Sequence, residues 1–351
     1  MLDFYKNKKV FITGHTGFKG AWLCRILSLM EADIAGYALP PQTNSSLFEL
    51  ADISKSVNSI FADIRYLESL KQSIKTAKPE ILIHLAAQPL VRESYKNPVY
   101  TYETNVMGTI NVLEVVRTCP SLKSVLIVTT DKVYKNFENE QRGYKETDEL
   151  NGGDPYSNSK SCAELATASY KKSFFDNSSI SVSTVRSGNV IGGGDFAPDR
   201  IIPDAIRALQ AQKPLILRYP NSIRPYQFVL EALFAYLLII KKQYENKSFE
   251  GNYNVGPEIS DCIKTCELVD MFYSYFENAK WKIQNNNEPH EAGFLKLDNT
   301  KIKETLGWQP RINIQQAVKM SADWTKAYLN KENYNVIADG QIKNYFVNIA
   351  K

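Results

Sequence analysis

The chain has 351 residues, of which 44% are hydrophobic and 23% charged, and a formal net charge of +4. That composition is ordinary for a globular protein with room for about two domains, and it excludes a disordered or fibrous chain. The positive charge is small and dispersed, with no basic block of the kind that grips nucleic acid or an anionic membrane, although some excess of Lys and Arg suits an anionic small substrate.

The chain starts Met1-Leu2-Asp3-Phe4-Tyr5-Lys6, without the basic-then-apolar layout of a secretory signal. Residues 9–13 read as a strand and are followed by a glycine turn. Residues 18–30 then carry Trp22, Leu23, Ile26, Leu27 and Met30 at helical spacing. Residues 34–37 are a second short strand. Residues 80–85 and 124–128 are continuous apolar runs, as buried parallel strands require. Between them, Tyr102, Val106, Ile110, Leu113 and Val116 predict one long helix over 99–116. Residues 181–186 give another strand. Strands alternating with helices imply an α/β fold with a parallel sheet built from βαβ units.

From Ser187 the chain becomes rich in Gly and Pro, with Gly192-Gly193-Gly194, Pro198, Pro203, Pro214 and Pro220. A smaller, loop-rich domain is therefore expected over 187–351, beside a first domain over 1–186. A helix at 226–244 and a strand at 251–255 are expected to return to the sheet. The longest apolar stretch, Ala232 to Ile240, is too short for a bilayer, which needs about 20 residues. Residues 334–351 are polar and read as a partly disordered tail.

The five cysteines (24, 119, 162, 262 and 266) are scattered and odd in number, against a disulfide framework. Cys262 and Cys266 have no second ligand pair, and His15, His84 and His290 make no cluster, so no metal site is expected. The expected compartment is the cytoplasm. His15 and His84 read as structural hydrogen-bonding groups.

Gly14-His15-Thr16-Gly17-Phe18-Lys19-Gly20 follows the first strand and opens the first helix. Glycines there allow a tight turn and let backbone N–H groups approach a pyrophosphate at the helix N-terminus. The spacing is Gly-x-x-Gly-x-x-Gly, and the strand and helix around it are what dinucleotide binding requires. The second strand ends in Gly36-Tyr37-Ala38-Leu39-Pro40-Pro41, with neither an acid for a ribose nor a base for a 2′-phosphate. Asp63 could reach an adenine edge, or could be the N-cap of a helix over 66–74.

Tyr156 and Lys160 lie four residues apart, one turn apart on one helix face. There an ammonium can lower a phenol's pKa, so that the phenolate can remove a proton from a sugar hydroxyl. Thr130 could hold the same oxygen. Those three make a sugar oxidoreductase. Asp131 and Lys132, beside Thr130, suggest a second reaction at an adjacent carbon.

These residues together resemble the extended short-chain dehydrogenase/reductase family. The resemblance runs through Gly14, Gly17 and Gly20, His84-Leu85-Ala86-Ala87-Gln88, Asn105, and Tyr156 with Lys160. More narrowly, the chain resembles the nucleotide-sugar 4,6-dehydratases, among them those acting on CDP-glucose. Gln88 to Tyr95, Thr129-Thr130-Asp131-Lys132-Val133-Tyr134 and Arg186 to Asp195 carry that narrower likeness. It implies a Rossmann-type doubly wound sheet, a nucleotide-sugar substrate and NAD. The NAD would be held by Gly14, Thr16, Gly17, Phe18, Gly20, Asp63, Ile64, Leu85, Ala86, Ala87, Gln88, Asn105, Thr129, Tyr156 and Lys160.

The resemblance also implies roles. Tyr156 takes the 4-hydroxyl proton, Thr130 positions that oxygen, and a protonated Asp131 supplies the proton for the departing 6-hydroxyl. Related dTDP-glucose enzymes carry a Glu where Lys132 stands. Lys132 either takes the C5 proton or only orients Asp131. Arg92, Asn189, Asp195, Arg200, Arg224 and Tyr226 are the candidates for holding the substrate, Arg being suited to phosphate by its planar fork. The run Arg224-Pro225-Tyr226-Gln227-Phe228 has Tyr and Phe where relatives carry Trp and His. The family implies a homodimer through residues 99–116 and the Tyr156 helix, and a 4-keto-6-deoxy product for surface polysaccharide. An epimerase on the same scaffold is the alternative, and it has no need of an acid at 131.

Overall fold

The computed structural model describes residues 2–137, 142–283 and 293–347, so His290 and the end of the tail lie outside the described residues. Seven parallel strands form one sheet: β1 (Lys9–Thr13), β2 (Asp33–Ala38), β3 (Asn58–Phe61), β4 (Ile81–His84), β5 (Ser124–Val128), β6 (Ser181–Ser187) and a last strand at Asn252–Val255. Their order across the sheet is Asn252–Val255, β6, β5, β4, β1, β2, β3. The order reverses between β1 and β4, which opens a crevice at the carboxyl ends of the strands, where such sheets bind ligands. This is the doubly wound sheet that the sequence implies.

Side chains alternate across the strands and so divide the apolar interior in two. Val10, Ile12, Ile83, Leu126 and Val128 pack with Trp22, Ile26, Leu230 and Leu237 on one face. Phe11, Leu82, Val125 and Ile127 pack with Ile74, Val112, Leu113 and Val116 on the other. Each fully buried aliphatic side chain contributes about 1.5–3 kcal/mol against exposure. The Val229–Glu245 helix is buried on almost every side, because it lies against β5 as well as other helices, and its near-continuous apolar run reflects that.

Several elements differ from expectation. The helix over 99–116 runs continuously from Pro98 to Arg117, but one stretch of it, Glu103–Met107, is a π turn between Pro98–Tyr102 and Gly108–Arg117. The Gly- and Pro-rich half holds helices at Ile201–Gln210, Thr265–Tyr273, Thr300–Leu306 and Ile314–Leu329. Pro203 sits in the first turn of its helix, where a missing N–H costs nothing. The tail is a helix, Tyr334–Val347, with Ala338, Ile342, Tyr345 and Phe346 buried and Asp339 held by Arg25 through two bonds of 2.6 and 2.7 Å. Asp63 is not a helix N-cap. Tyr66 takes that position, while Asp63 accepts from the Arg65 backbone at 2.9 Å and pairs with its guanidinium at 2.9 Å.

Candidate active site

The Gly14 turn is forced by its neighbours. Gly14 has φ +77, and a Cβ there would stand 2.6 Å from Ala86 N. The Gly14 turn therefore lies close against Leu85 and Ala86, just past the end of β4. Gly17 is the N-cap and brings no side chain to cap the first N–H groups. A Cβ on Gly17 would meet only Gly14 O, at 3.5 Å, so the cradle over this N-terminus is open. An open helix N-terminus of this kind fits a pyrophosphate.

His84 holds the neighbouring loop. Thr13 Oγ1 accepts from Leu85 N and Ala86 N, both at 3.2 Å, so its proton goes to His84 Nδ1 at 2.7 Å. Thr109 donates to Asn105 O, so it accepts from His84 Nε2–H at 3.1 Å. The imidazole is neutral, and burial pushes its pKa down to about 3. It is structural.

The Pro155–Tyr170 helix starts where Asp154 caps it, accepting from Ser157 N at 3.0 Å, with Pro155 at its first position. Tyr156 and Lys160 project from this helix beneath the end of β5, both buried. Thr130, at the end of β5, caps a short 3-10 turn at Asp131–Val133 and donates to Asp131 Oδ1 at 2.9 Å. Lys160 Nζ donates to Val128 O at 3.3 Å.

Burial sets the electrostatics of these groups. Burial pushes the Tyr156 phenol up to about 12, and a hydrogen bond with Thr130 only partly offsets that. Lys160 is driven down to about 7 by burial and by the like charge of Lys19. Lys19 itself is pushed down to about 8 by burial and Arg200. Asp131 is raised by burial, against the opposing pull of Lys132, Thr130 and Arg224. Its Oδ2 is buried without a hydrogen-bond partner, which suits a protonated acid.

A cavity of about 320 Å³ joins these groups. Its wall takes in all five expected catalytic residues, Thr130, Asp131, Lys132, Tyr156 and Lys160. It also takes in all six expected substrate residues, Arg92, Asn189, Asp195, Arg200, Arg224 and Tyr226. Phe18, Leu85, Ala87 and Thr129 line it too. Gly14, Thr16, Gly17, Gly20, Asp63, Ile64, Ala86, Gln88 and Asn105 lie off this wall. Gln88 and Asn105 are committed to each other: Asn105 accepts from Gln88 N at 2.8 Å, and its amide donates to Gln88 O at 3.0 Å and to Ser159 Oγ at 2.9 Å.

On the substrate side, Arg92 and Arg218 share Asp199 at 3.0 Å each, and Arg200 pairs with Asp195 at 2.9 Å. Tyr226 bonds Thr265 Oγ1 at 2.9 Å. Phe228 is fully buried against Trp22, away from the wall, so the change from His there lies in the core. Sequence reasoning passed over Lys19, Arg218, Thr265, Gly188 and Glu164. Only Lys19 and Glu164 carried a local signal: a cation in the first turn of an apolar helix, and an acid eight residues beyond Tyr156.

The family model described as GDP-mannose 4,6 dehydratase matches residues 11–321. CDP-glucose 4,6-dehydratase of Salmonella typhimurium is 43% identical over 355 residues, covering 98% of this chain and 98% of that one. The structure is similar to UDP-glucose 4-epimerase of Thermus thermophilus in complex with NAD, with a TM-score of 0.78 at 22% identity over 90% of this chain and 98% of that one. It is similar also to dTDP-glucose 4,6-dehydratase of Bacillus anthracis in complex with NAD, with a TM-score of 0.75 at 21% identity over 93% and 98%. At those identities the two structures speak for the fold alone.

Proposed function

The chain belongs to the family described as GDP-mannose 4,6 dehydratase, and from that premise we propose that it converts CDP-D-glucose to CDP-4-keto-6-deoxy-D-glucose. It is a nucleotide-sugar 4,6-dehydratase, an NAD-dependent lyase. The observation that carries this reading is the buried Asp131 carboxyl, an acid beside the redox set of Thr130, Tyr156 and Lys160 that plain oxidation or epimerisation has no use for.

Tyr156 takes the proton of the sugar 4-hydroxyl while Thr130 holds that oxygen. NAD would be held by the Gly14–Gly20 turn with Leu85, Ala86, Ala87 and Thr129, and by Asp63 and Ile64 on its adenine side, and it would supply the hydride acceptor for C4 and the donor that returns hydride to C6. The new ketone acidifies the C5 proton, which Lys132 takes and returns to C5 as hydride arrives at C6. Asp131 gives its proton to the departing 6-hydroxyl, which leaves as water. Arg92, Arg200 and Arg224 hold the diphosphate, with Asn189 and Asp195 beside them and Tyr226 at the base.

We place the substrate domain at 187–351, with about 226–256 returning to the sheet. Val99, Met107 and Leu165 are exposed on the two elements that would pair in a homodimer. The cysteines are all free thiols, in keeping with a reducing cytoplasm. No helix among the described residues is long and apolar enough to cross a membrane.

Incubation with NAD and each of CDP-, dTDP-, UDP- and GDP-glucose tests the reading. A 4-keto-6-deoxy product is expected from CDP-glucose. No such product from any of the four would end the dehydratase reading, and product from another nucleotide alone would move the substrate.

A further inference from the structure

Behind the catalytic helix lies a buried ion pair with no place in the mechanism above. Glu164 stands one turn beyond Lys160, and Arg186 on β6 pairs with it at 2.9 Å, both side chains 1% exposed. Burying such a pair gains little over a well-packed apolar pair. Its contacts supply another reason for it. Glu164 Oε1 accepts from Thr129 Oγ1, the residue before Thr130 and Asp131, and Oε2 accepts from Thr184 Oγ1 at 2.8 Å. Arg186 is fixed in turn by Tyr134, at 2.8 Å, and Tyr134 by Asn254, at 2.6 Å.

We propose that Glu164, held by Arg186, is a positioning residue that fixes the Thr129–Asp131 segment against the Tyr156–Lys160 helix face and supplies the negative charge behind Lys160. One carboxylate thereby joins the two elements that carry the two halves of the chemistry. The groups facing Lys160 are Lys19 from the first helix, neutral His84 from β4 and Glu164 on its own helix. Glu164 is the source of negative charge that acts on Lys160 against Lys19.

The kinetic part of this role rests on the reaction proposed above, so the primary readout is independent of substrate. Lys160 is titrated by NMR in protein with 15N-labelled lysine, its signal assigned by its loss in Lys160→Arg. In Glu164→Gln the proton affinity of Lys160 is expected to fall by about tenfold. With CDP-glucose, kcat is expected to fall roughly 100-fold while KM changes by less than about threefold, as misplacement of reacting groups without loss of binding requires. An unmoved Lys160 midpoint overturns the proposal, whatever the substrate proves to be. Should Glu164→Gln fail to fold with Arg186 left unpaired, Glu164→Gln/Arg186→Met removes both charges and is expected to shift Lys160 in the same direction. A double variant that also fails to fold makes the pair a folding element and overturns the positioning role.

Discussion

A Cβ on Gly188 would stand 1.8 Å from Asp131 Oδ2, so the Asp131 carboxyl occupies space that exists only because residue 188 has no side chain. Gly188 follows β6 and Asp131 follows β5, so neighbouring strands meet at the acid. A Gly188→Ala variant is expected to displace the carboxyl and leave the fold intact. Dehydration should fall about 100-fold, because reacting groups tolerate little misplacement. Steady-state rates and thermal denaturation check this together, and an unchanged rate would mean that Asp131 need not sit where it does.

Asp131→Asn keeps the shape and removes the proton that the departing 6-hydroxyl requires. Loss of a general acid costs typically 10²–10⁴-fold, here in formation of the 6-deoxy product. Oxidation at C4 is expected to survive, seen as reduced cofactor on mixing with CDP-glucose. A variant that still forms the 6-deoxy product at the parent rate takes Asp131 out of the mechanism.

Lys160 is charged below about 7 and loses its proton as pH rises through that value. The charge of Lys19 is one cause, so its removal lets Lys160 hold its proton to higher pH. Lys19→Met is therefore expected to move the falling, alkaline limb of kcat/KM upward by up to about one pH unit. Rate profiles from pH 5 to 9 read it. A limb that stays put, or moves down, would show that some other group sets it.

Glu231 is buried and pushed up to about 7, although the backbone N–H groups of Arg311 and Ile312 and the Tyr345 hydroxyl oppose the rise. Its native form binds the proton more tightly than the unfolded chain does. The stability it gives is full below its ordinary value of 4.5 and is lost as pH rises toward about 7. A rise of that size corresponds to ~3 kcal/mol. Glu231→Gln is expected to remove this part of the pH dependence, and urea denaturation from pH 4 to 8 measures it. Equal slopes in parent and variant would contradict it.

What could be read in the sequence was what is local. The strand periods, the Gly14-x-x-Gly17-x-x-Gly20 turn and the four-residue step from Tyr156 to Lys160 are short-range geometry, and they led to the sheet, the cofactor turn and the redox pair. The Asp63 cap was misread because capping depends on where the helix starts, three residues later at Tyr66. The helix at Tyr334–Val347 was missed because its few apolar positions count only once Phe234 and the core around it are there to receive them.

The sequence by itself determined which groups are present: an acid at 131, a phenol at 156, amines at 19, 132 and 160, and guanidiniums from 92 to 224. Only the tertiary structure decided their states. Asp131 is raised above the usual carboxylate range because it is desolvated beside Gly188, 57 residues along the chain. Lys160 is lowered to about 7 because folding buries it and puts Lys19 beside it. Desolvation and charge act through space over a few ångströms, and that distance has no counterpart in chain order.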